Sequence, residues 1–347
     1  KNMKNLFKNK IILITGGTGS FGKHFAEAIL KKFSPKKVII FSRDEQKQYN
    51  MKVDKFFIKH KDSIRFFLGD IKDKERLEDA MDNVDIVVHA AALKIVDTAE
   101  YNPFEFIKTN VIGSQNVIST AIKKNVKKVI ALSTDKATSP INLYGATKLC
   151  SEKLFVSSNN YKGSKKISLS VVRYGNVMGS RGSVIPHFIK TMDSKKFNIT
   201  DKNMTRFTLT LDESVKFVIN SISKMVGGEI FVPKIPSYRI LDLAKSISTT
   251  NKIIFTGKRP GEKIHEEMIL MSDSAFSYEY NDYYIISSES LINDDLPIKI
   301  SKDMKRKICK KVPINFCYSS NTNNHFLKVN ELKKLIIENV ADGIRIK

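Results

Sequence analysis

A short β-branched run, Lys10 to Thr15, leads directly into Gly16-Gly17-Thr18-Gly19-Ser20-Phe21-Gly22, and a helix-period pattern starts at Ser20. A strand that passes through three regularly spaced glycines into a helix can fold in few ways. Glycine lets the backbone turn sharply and come close to a pyrophosphate, whose charge the helix N-terminus stabilises. A tight strand–helix turn without a ligand is the bland alternative, but the position between a first strand and a first helix marks a dinucleotide site. Gly16, Gly19, Ser20, Phe21 and Gly22 are therefore the first candidate cofactor contacts.

The pattern repeats downstream. Further strands are predicted at Lys37 to Ser42, Ile64 to Gly69, Asp85 to His89, Lys127 to Ser133 and Ile167 to Tyr174. Helical patterns lie between them: Ser20 to Lys32, a long helix from near Pro103 that carries Asn110, and Leu143 to about Ser158. Such alternation implies an α/β fold, a Rossmann-type doubly wound parallel sheet. After Asn176 the periodicity weakens to short segments, with a strand at Glu229 to Val232 and a helix near Leu241 to Ser248. The expected division is a nucleotide-binding domain over residues 1–175 and, over 176–347, mostly a smaller C-terminal α/β substrate-binding lobe, with some segments returning to the first domain. The Ser-, Asn- and Lys-rich tail from about Met271 carries no assignable pattern.

Composition removes several other classes. With 41 % hydrophobic and 27 % charged residues, the 347-residue chain is an ordinary globular one. The net charge of +23 raises nucleic acid as a partner. Its lysines are dispersed, however, and are not interleaved with aromatics as on a base-stacking surface, so no nucleic acid is expected. No apolar run approaches the roughly 18–20 residues that span a bilayer, so no membrane partner is expected. Three cysteines without a CxxC pair or a Cys/His cluster fit a reducing cytoplasm and provide no metal site.

Cofactor choice turns on the end of the second strand, where an acid suits a ribose 2′-hydroxyl and an arginine a 2′-phosphate. Ser42-Arg43-Asp44, with Lys47 one turn on, favours NADP through Arg43; a surface Arg43 with Asp44 on the ribose would instead admit NAD. Asp70 and Ile71 close the third strand near the adenine, and Ala90 closes the fourth where the cofactor passes. Tyr144 and Lys148 stand four apart, which stacks them on one helix face. A phenol with a pKa of about 10 is a poor base, but a neighbouring ammonium and a cationic nicotinamide favour its phenolate. Thr134-Asp135-Lys136, at the carboxyl end of the fifth strand, lies where open α/β sheets bind ligands. An oxidation or 4-epimerisation needs only the hydroxyl and the Tyr–Lys pair. The additional acid and base suit elimination of water.

The stretch Leu132 to Leu154, with Ser133-Thr134-Asp135-Lys136 and Tyr144-Gly145-Ala146-Thr147-Lys148, closely resembles the inverting UDP-N-acetylglucosamine 4,6-dehydratases of the extended short-chain dehydrogenase/reductase family. The likeness continues through Arg173 to Val177, Gly179 to Val184, Met204 to Phe207, Gly228 to Pro233 and Arg259 to Lys263. The resemblance implies a redox-neutral reaction on UDP-N-acetylglucosamine that opens pseudaminic acid-type sugar biosynthesis. In it Tyr144 takes the carbon-4 hydroxyl proton, Lys136 the carbon-5 proton, and Asp135 protonates the departing carbon-6 hydroxyl. Thr134 binds the carbon-4 oxygen, Lys148 orients the nicotinamide ribose, and Lys94 lies at the cofactor–substrate boundary. Val177 is placed at the cofactor, Asn176 near the sugar diphosphate, and Arg181, Thr200, Arg206 and Arg259 at the diphosphate or uridine. Membrane-anchored relatives replace the tyrosine by Met or Thr and carry a long N-terminal transmembrane region; Tyr144 aligns this chain with the soluble branch, a cytoplasmic homo-oligomer (dimer or hexamer). Two residues depart from that branch: Ile95 stands where it usually has His, and Thr208 where it often has Trp. The rival readings are a retaining dehydratase, a nucleotide-sugar 4-epimerase, and an NADP-binding regulatory protein without catalysis.

Overall fold

The computed structural model describes residues 5–180, 183–287 and 295–340. Six parallel strands form the expected frame: β1 (Ile11–Thr15), β2 (Lys37–Ser42), β3 (Ile64–Leu68), β4 (Ile86–His89), β5 (Lys128–Thr134) and β6 (Ser168–Tyr174). β1, β2, β4 and β5 are buried along most of their length, as strands covered by helices must be, whereas β3 at the edge is only partly covered. The Ile230–Pro233 strand adds to β6 in parallel, and Tyr283–Ile286, Ser277–Glu279 and Lys310–Lys311 continue the sheet antiparallel. The order is Lys310–Lys311, Ser277–Glu279, Tyr283–Ile286, Ile230–Pro233, β6, β5, β4, β1, β2, β3. The order reverses between β1 and β4, the crevice where doubly wound sheets bind dinucleotides.

The patternless tail thus supplies strands to the main sheet. Tyr283-Tyr284-Ile285-Ile286, buried throughout, is the β-branched and aromatic signal that its polar surroundings mask. The Leu211–Lys224 helix also has a legible start: Thr210 and Glu213 form a capping box, each side chain taking the other residue's backbone N–H. The long helix carrying Asn110 is not uniform. Between the Pro103–Phe106 and Gly113–Lys123 segments it widens to a π turn over Ile107–Ile112. There Asn110 bonds the backbone N–H and carbonyl of Leu93 at 2.9 Å and the Thr147 hydroxyl at 3.0 Å. Those bonds clamp the loop after β4 to the helix that bears Tyr144.

A second apolar core lies beside the main one. Met178, Phe188, Phe197 and Tyr238 pack there with the Ile240–Ile247 helix and with Leu332 and Ile336 of the Val329–Asn339 helix. The chain therefore crosses repeatedly between the two cores after Asn176. Residues 230–233, 277–286 and 310–311 return to the main sheet, and 329–339 come back to the smaller core.

Candidate active site

The turn after β1 is packed backbone against backbone. Gly16 has φ +67°, and a Cβ on it would lie 2.8 Å from the Ala91 nitrogen; one on Gly22 would lie 2.6 Å from the Gly16 carbonyl oxygen. The Ser20–Lys32 helix opens with no acidic residue in its first turn, leaving its positive end for an anion. A turn that only glycine can fill, ending at a bare helix N-terminus, fits the pyrophosphate of a nicotinamide dinucleotide. Phe21 is stacked on Phe25 of the same helix at 5.7 Å.

At the end of β2, Ser42 is buried, its carbonyl accepting from the Gln48 amide at 2.9 Å. Arg43 is more than half exposed and lies 3.8 Å from Asp70. Asp44 caps the Glu45–Lys52 helix: one oxygen takes the Lys47 N–H at 2.9 Å and the other pairs with the Lys47 ammonium. Asp70 receives the Lys72 N–H at 3.0 Å, and Ile71 is buried beside it. Ala90 donates its N–H to Thr15 at 3.1 Å, which lays the β4 end alongside the glycine turn. Lys94 is exposed in the loop beyond it.

Thr134, Asp135 and Lys136 leave β5 in a tight 3-10 turn, and the Leu143–Tyr161 helix packs on that turn through Gly145, where a Cβ would overlap the Lys136 carbonyl. Asn142 caps this helix through the Gly145 N–H and donates to the Gly261 carbonyl at 2.9 Å, tying in the loop that carries Arg259. Tyr144 is buried. Burial raises its phenol, while the Lys136 charge and a hydrogen bond with Thr134 pull it back down. Lys136 is the cation that acts on the phenol against that burial. Lys148 instead donates to the Leu132 carbonyl at 2.7 Å, and burial brings its own pKa down to about 8.

Lys136 is the hub. Its ammonium lies 3.0 Å from Asp135 Oδ1, 3.3 Å from Asn176 Oδ1 and 3.5 Å from Glu266 Oε1. Burial opposes its charge, but Asp135 and Glu266 together hold it above the usual lysine range. Asp135 is fully buried. Desolvation raises it against the pull of Lys136, Glu266 pushes it further up, and its Oδ2 has no protein partner. Asn176 thus stands in the acid–base cluster.

Arg206 is also in this cluster. Expected at a phosphate, it is nine-tenths buried and donates to the carbonyls of Thr205 and Ile264 at 2.8 and 3.0 Å. It further pairs with Glu266 at 3.7 Å and Glu262 at 3.8 Å. The Thr200 hydroxyl contacts the Met204 sulfur at 3.1 Å, and Arg259 is exposed at the rim. Val177 lies half-buried on the short strand after β6, Thr208 is buried on Thr205–Leu209, and Ile95 is exposed. Arg181 lies outside the described residues.

Two residues of the site escape sequence reasoning. Glu266 follows the Arg259 to Lys263 motif by only three positions, but nothing local marks it as buried. His89, at the end of β4, bridges Thr15 at 2.8 Å and Ser114 at 3.1 Å; burial first, and then Lys148, bring its pKa down to about 3, so the ring is neutral.

This geometry agrees with what the chain is similar to. Residues 12–288 match the model of a family described as "Polysaccharide biosynthesis protein". The chain belongs to that family. A Campylobacter jejuni protein named UDP-N-acetylglucosamine 4,6-dehydratase (inverting) is 49% identical over 334 residues, covering 95% of this chain and 98% of the relative. A Rickettsia canadensis protein named UDP-glucose 4-epimerase is 39% identical over 344 residues, with 96% of each chain covered. The X-ray structure of Pen from Bacillus thuringiensis superposes with a TM-score of 0.84 at 38% identity, over 96% of this chain and 98% of that one. The Rossmann-type fold is thereby shared with nucleotide-sugar dehydratases and epimerases. No helix among the described residues is long and apolar enough to cross a membrane.

Proposed function

We propose that this chain is a UDP-N-acetylglucosamine 4,6-dehydratase that inverts carbon 5, works on NADP, and acts as a cytoplasmic homo-oligomer in the first step of pseudaminic acid-type synthesis. One observation carries the dehydratase reading: a fully buried Asp135 paired with a partly buried Lys136 beside Thr134 and Tyr144. Oxidation at carbon 4 does not need that pair, and elimination does. The inverting relative at 49% identity supports both the substrate and the stereochemistry.

Bound NADP, held by the glycine turn and Arg43, would supply a hydride acceptor for carbon 4 and a donor for carbon 6. Tyr144 takes the carbon-4 hydroxyl proton while Thr134 holds the oxygen. Transfer of one proton over the 3.0 Å from Lys136 to Asp135 creates an amine base and a carboxylic acid together. Lys136 then removes the carbon-5 proton, which the new ketone has acidified. Asp135 protonates the carbon-6 hydroxyl as its C–O bond breaks, and water leaves. Reprotonation of carbon 5 on the opposite face, as hydride reaches carbon 6, gives the L-arabino 4-keto-6-deoxy sugar and restores the cofactor. Exposed Arg259 remains the candidate for the diphosphate, which a guanidinium fork binds bidentately. The engagement of Asp44 as helix cap and ion-pair partner of Lys47 supports Arg43 as the group that meets a 2′-phosphate, so Arg43→Ala should weaken NADP at least about tenfold relative to NAD, read by titration of the apoprotein. An equal loss of both cofactors would remove that assignment.

The deciding experiment is incubation with UDP-N-acetylglucosamine in deuterated water without added reductant, followed by proton NMR. A 4-keto-6-deoxy product with deuterium at carbon 5 and L-arabino couplings is expected. The D-xylo isomer as first product would make the enzyme retaining. Absence of water loss in the NADP-loaded protein would leave an epimerase or a binding protein.

A further inference from the structure

The elimination described above leaves a buried carboxylate of the cluster unused. Glu266 has a side chain only 3% exposed, and its carboxylate stands 3.5 Å from Lys136 and 3.7 Å from Arg206. Its backbone is fixed on both sides by Ser320: the Ser320 hydroxyl lies 2.9 Å from its N–H, and its carbonyl takes the Ser320 N–H at 2.8 Å. Its Oε2 has no protein partner. A buried carboxylate without full pairing is costly, and Asp135 alone already provides Lys136 with a counter-ion. A second carboxylate on the same ammonium therefore calls for a reason. Two neighbouring carboxylates resist joint ionisation, so a proton released by Lys136 goes to the one whose ionised form is the less stabilised. Arg206 touches Glu266, and Lys263 adds to the positive field on that side.

We infer that Glu266 is a positioning residue for the elimination: ionised against Arg206, it holds the Lys136 nitrogen between itself and Asn176, and its charge makes Asp135 the carboxyl that takes up the proton Lys136 releases. The step balances without a further reactant. The carbon-5 proton passes to the Lys136 amine, the C6–O bond breaks, and the oxygen takes the Asp135 proton and leaves as water. An ammonium then stands between two carboxylates, and Glu266 is unchanged throughout. The inference rests on the dehydratase reading.

The test compares wild type, Glu266→Gln and Glu266→Asp, each NADP-loaded, with UDP-N-acetylglucosamine in deuterated water. Single-turnover absorbance reads nicotinamide reduction, and NMR reads carbon-5 deuteration and water loss. The Gln variant should reduce nicotinamide at close to the wild-type rate while deuteration and water loss fall roughly 100-fold, so that reduced nicotinamide accumulates. The Asp variant should recover part of the elimination. If Gln eliminates like wild type, or loses reduction and elimination in equal proportion, the inference is overturned. If Gln does not fold, Asp decides alone: slowed elimination with intact reduction supports the role, and equal slowing of both removes it. Failure of the dehydratase reading would appear separately, as wild type that never loses water.

Discussion

At the scale of single residues, the site is governed by what burial does to charge. Tyr144 is held above its ordinary pKa by desolvation, against the pull of Lys136 and Thr134, so its proton transfer depends on groups outside its own helix. Tyr144→Phe should lower turnover about 10²–10⁴-fold while bound NADP is retained; nicotinamide reduction in a single turnover measures this, and unimpaired reduction would exclude Tyr144 as the carbon-4 base. His89 gives a pH dependence with a definite sign. Its folded pKa of about 3 lies below its ordinary 6.5. Its contribution to stability is therefore complete above 6.5 and is lost as the pH falls towards 3. The slope is at most about 1.4 kcal/mol per pH unit. Urea unfolding at a series of pH values should show a shallower acid limb for His89→Asn than for wild type. Parallel limbs would mean that the ring charges without cost in the fold.

At the scale of elements, close backbone packing sets the two halves of the site. The glycine turn seats the Ser20–Lys32 helix against β1, and Gly145 seats the Leu143–Tyr161 helix on the Thr134–Lys136 turn. Gly22→Ala would force the first helix away, because its methyl would meet the Gly16 oxygen and the Gly17 Cα at 2.6 Å. The expected cost is about 1–3 kcal/mol of stability, with a weaker nucleotide complex. Calorimetry with and without NADP tests it, and unchanged affinity would show that the turn tolerates a Cβ. The glycines, the Tyr–Lys spacing and Thr134-Asp135-Lys136 were all legible, because each is a local pattern with a local geometric reason. The π turn at Asn110 was not: it follows from bonds to Leu93 and Thr147, neither of which is its neighbour in sequence.

At the scale of the whole molecule, one buried ion pair joins the parts that form the site. Arg173 of β6 makes two bonds to Glu152 of the Leu143–Tyr161 helix, at 3.0 and 2.6 Å. It also donates to the Met268 carbonyl at 2.7 Å, two residues beyond Glu266. The sheet, the helix bearing Tyr144 and the strand that follows Glu266 are thus held by one guanidinium. Glu152→Ala leaves that charge buried and unpaired and should cost about 3–5 kcal/mol, read as a lowered Tm and unfolding midpoint. A loss below 1 kcal/mol would mean that Asp273, 3.8 Å away, or water takes over.

The sequence by itself determined the parallel frame, the glycine turn after β1 and the placing of Thr134 to Lys148, since strand and helix periods and short spacings are properties of neighbouring residues. It placed six strands and the helix bearing Tyr144 to within a few residues at each end. Only the tertiary structure decided the company that Lys136 keeps. Asn176, Arg206 and Glu266 are 40 to 130 positions away from it, and they meet it because the chain crosses repeatedly between two cores. A polar residue in an irregular stretch looks solvated when read locally. Whether it is buried, and which charge it faces, depends on which distant strand lies across it.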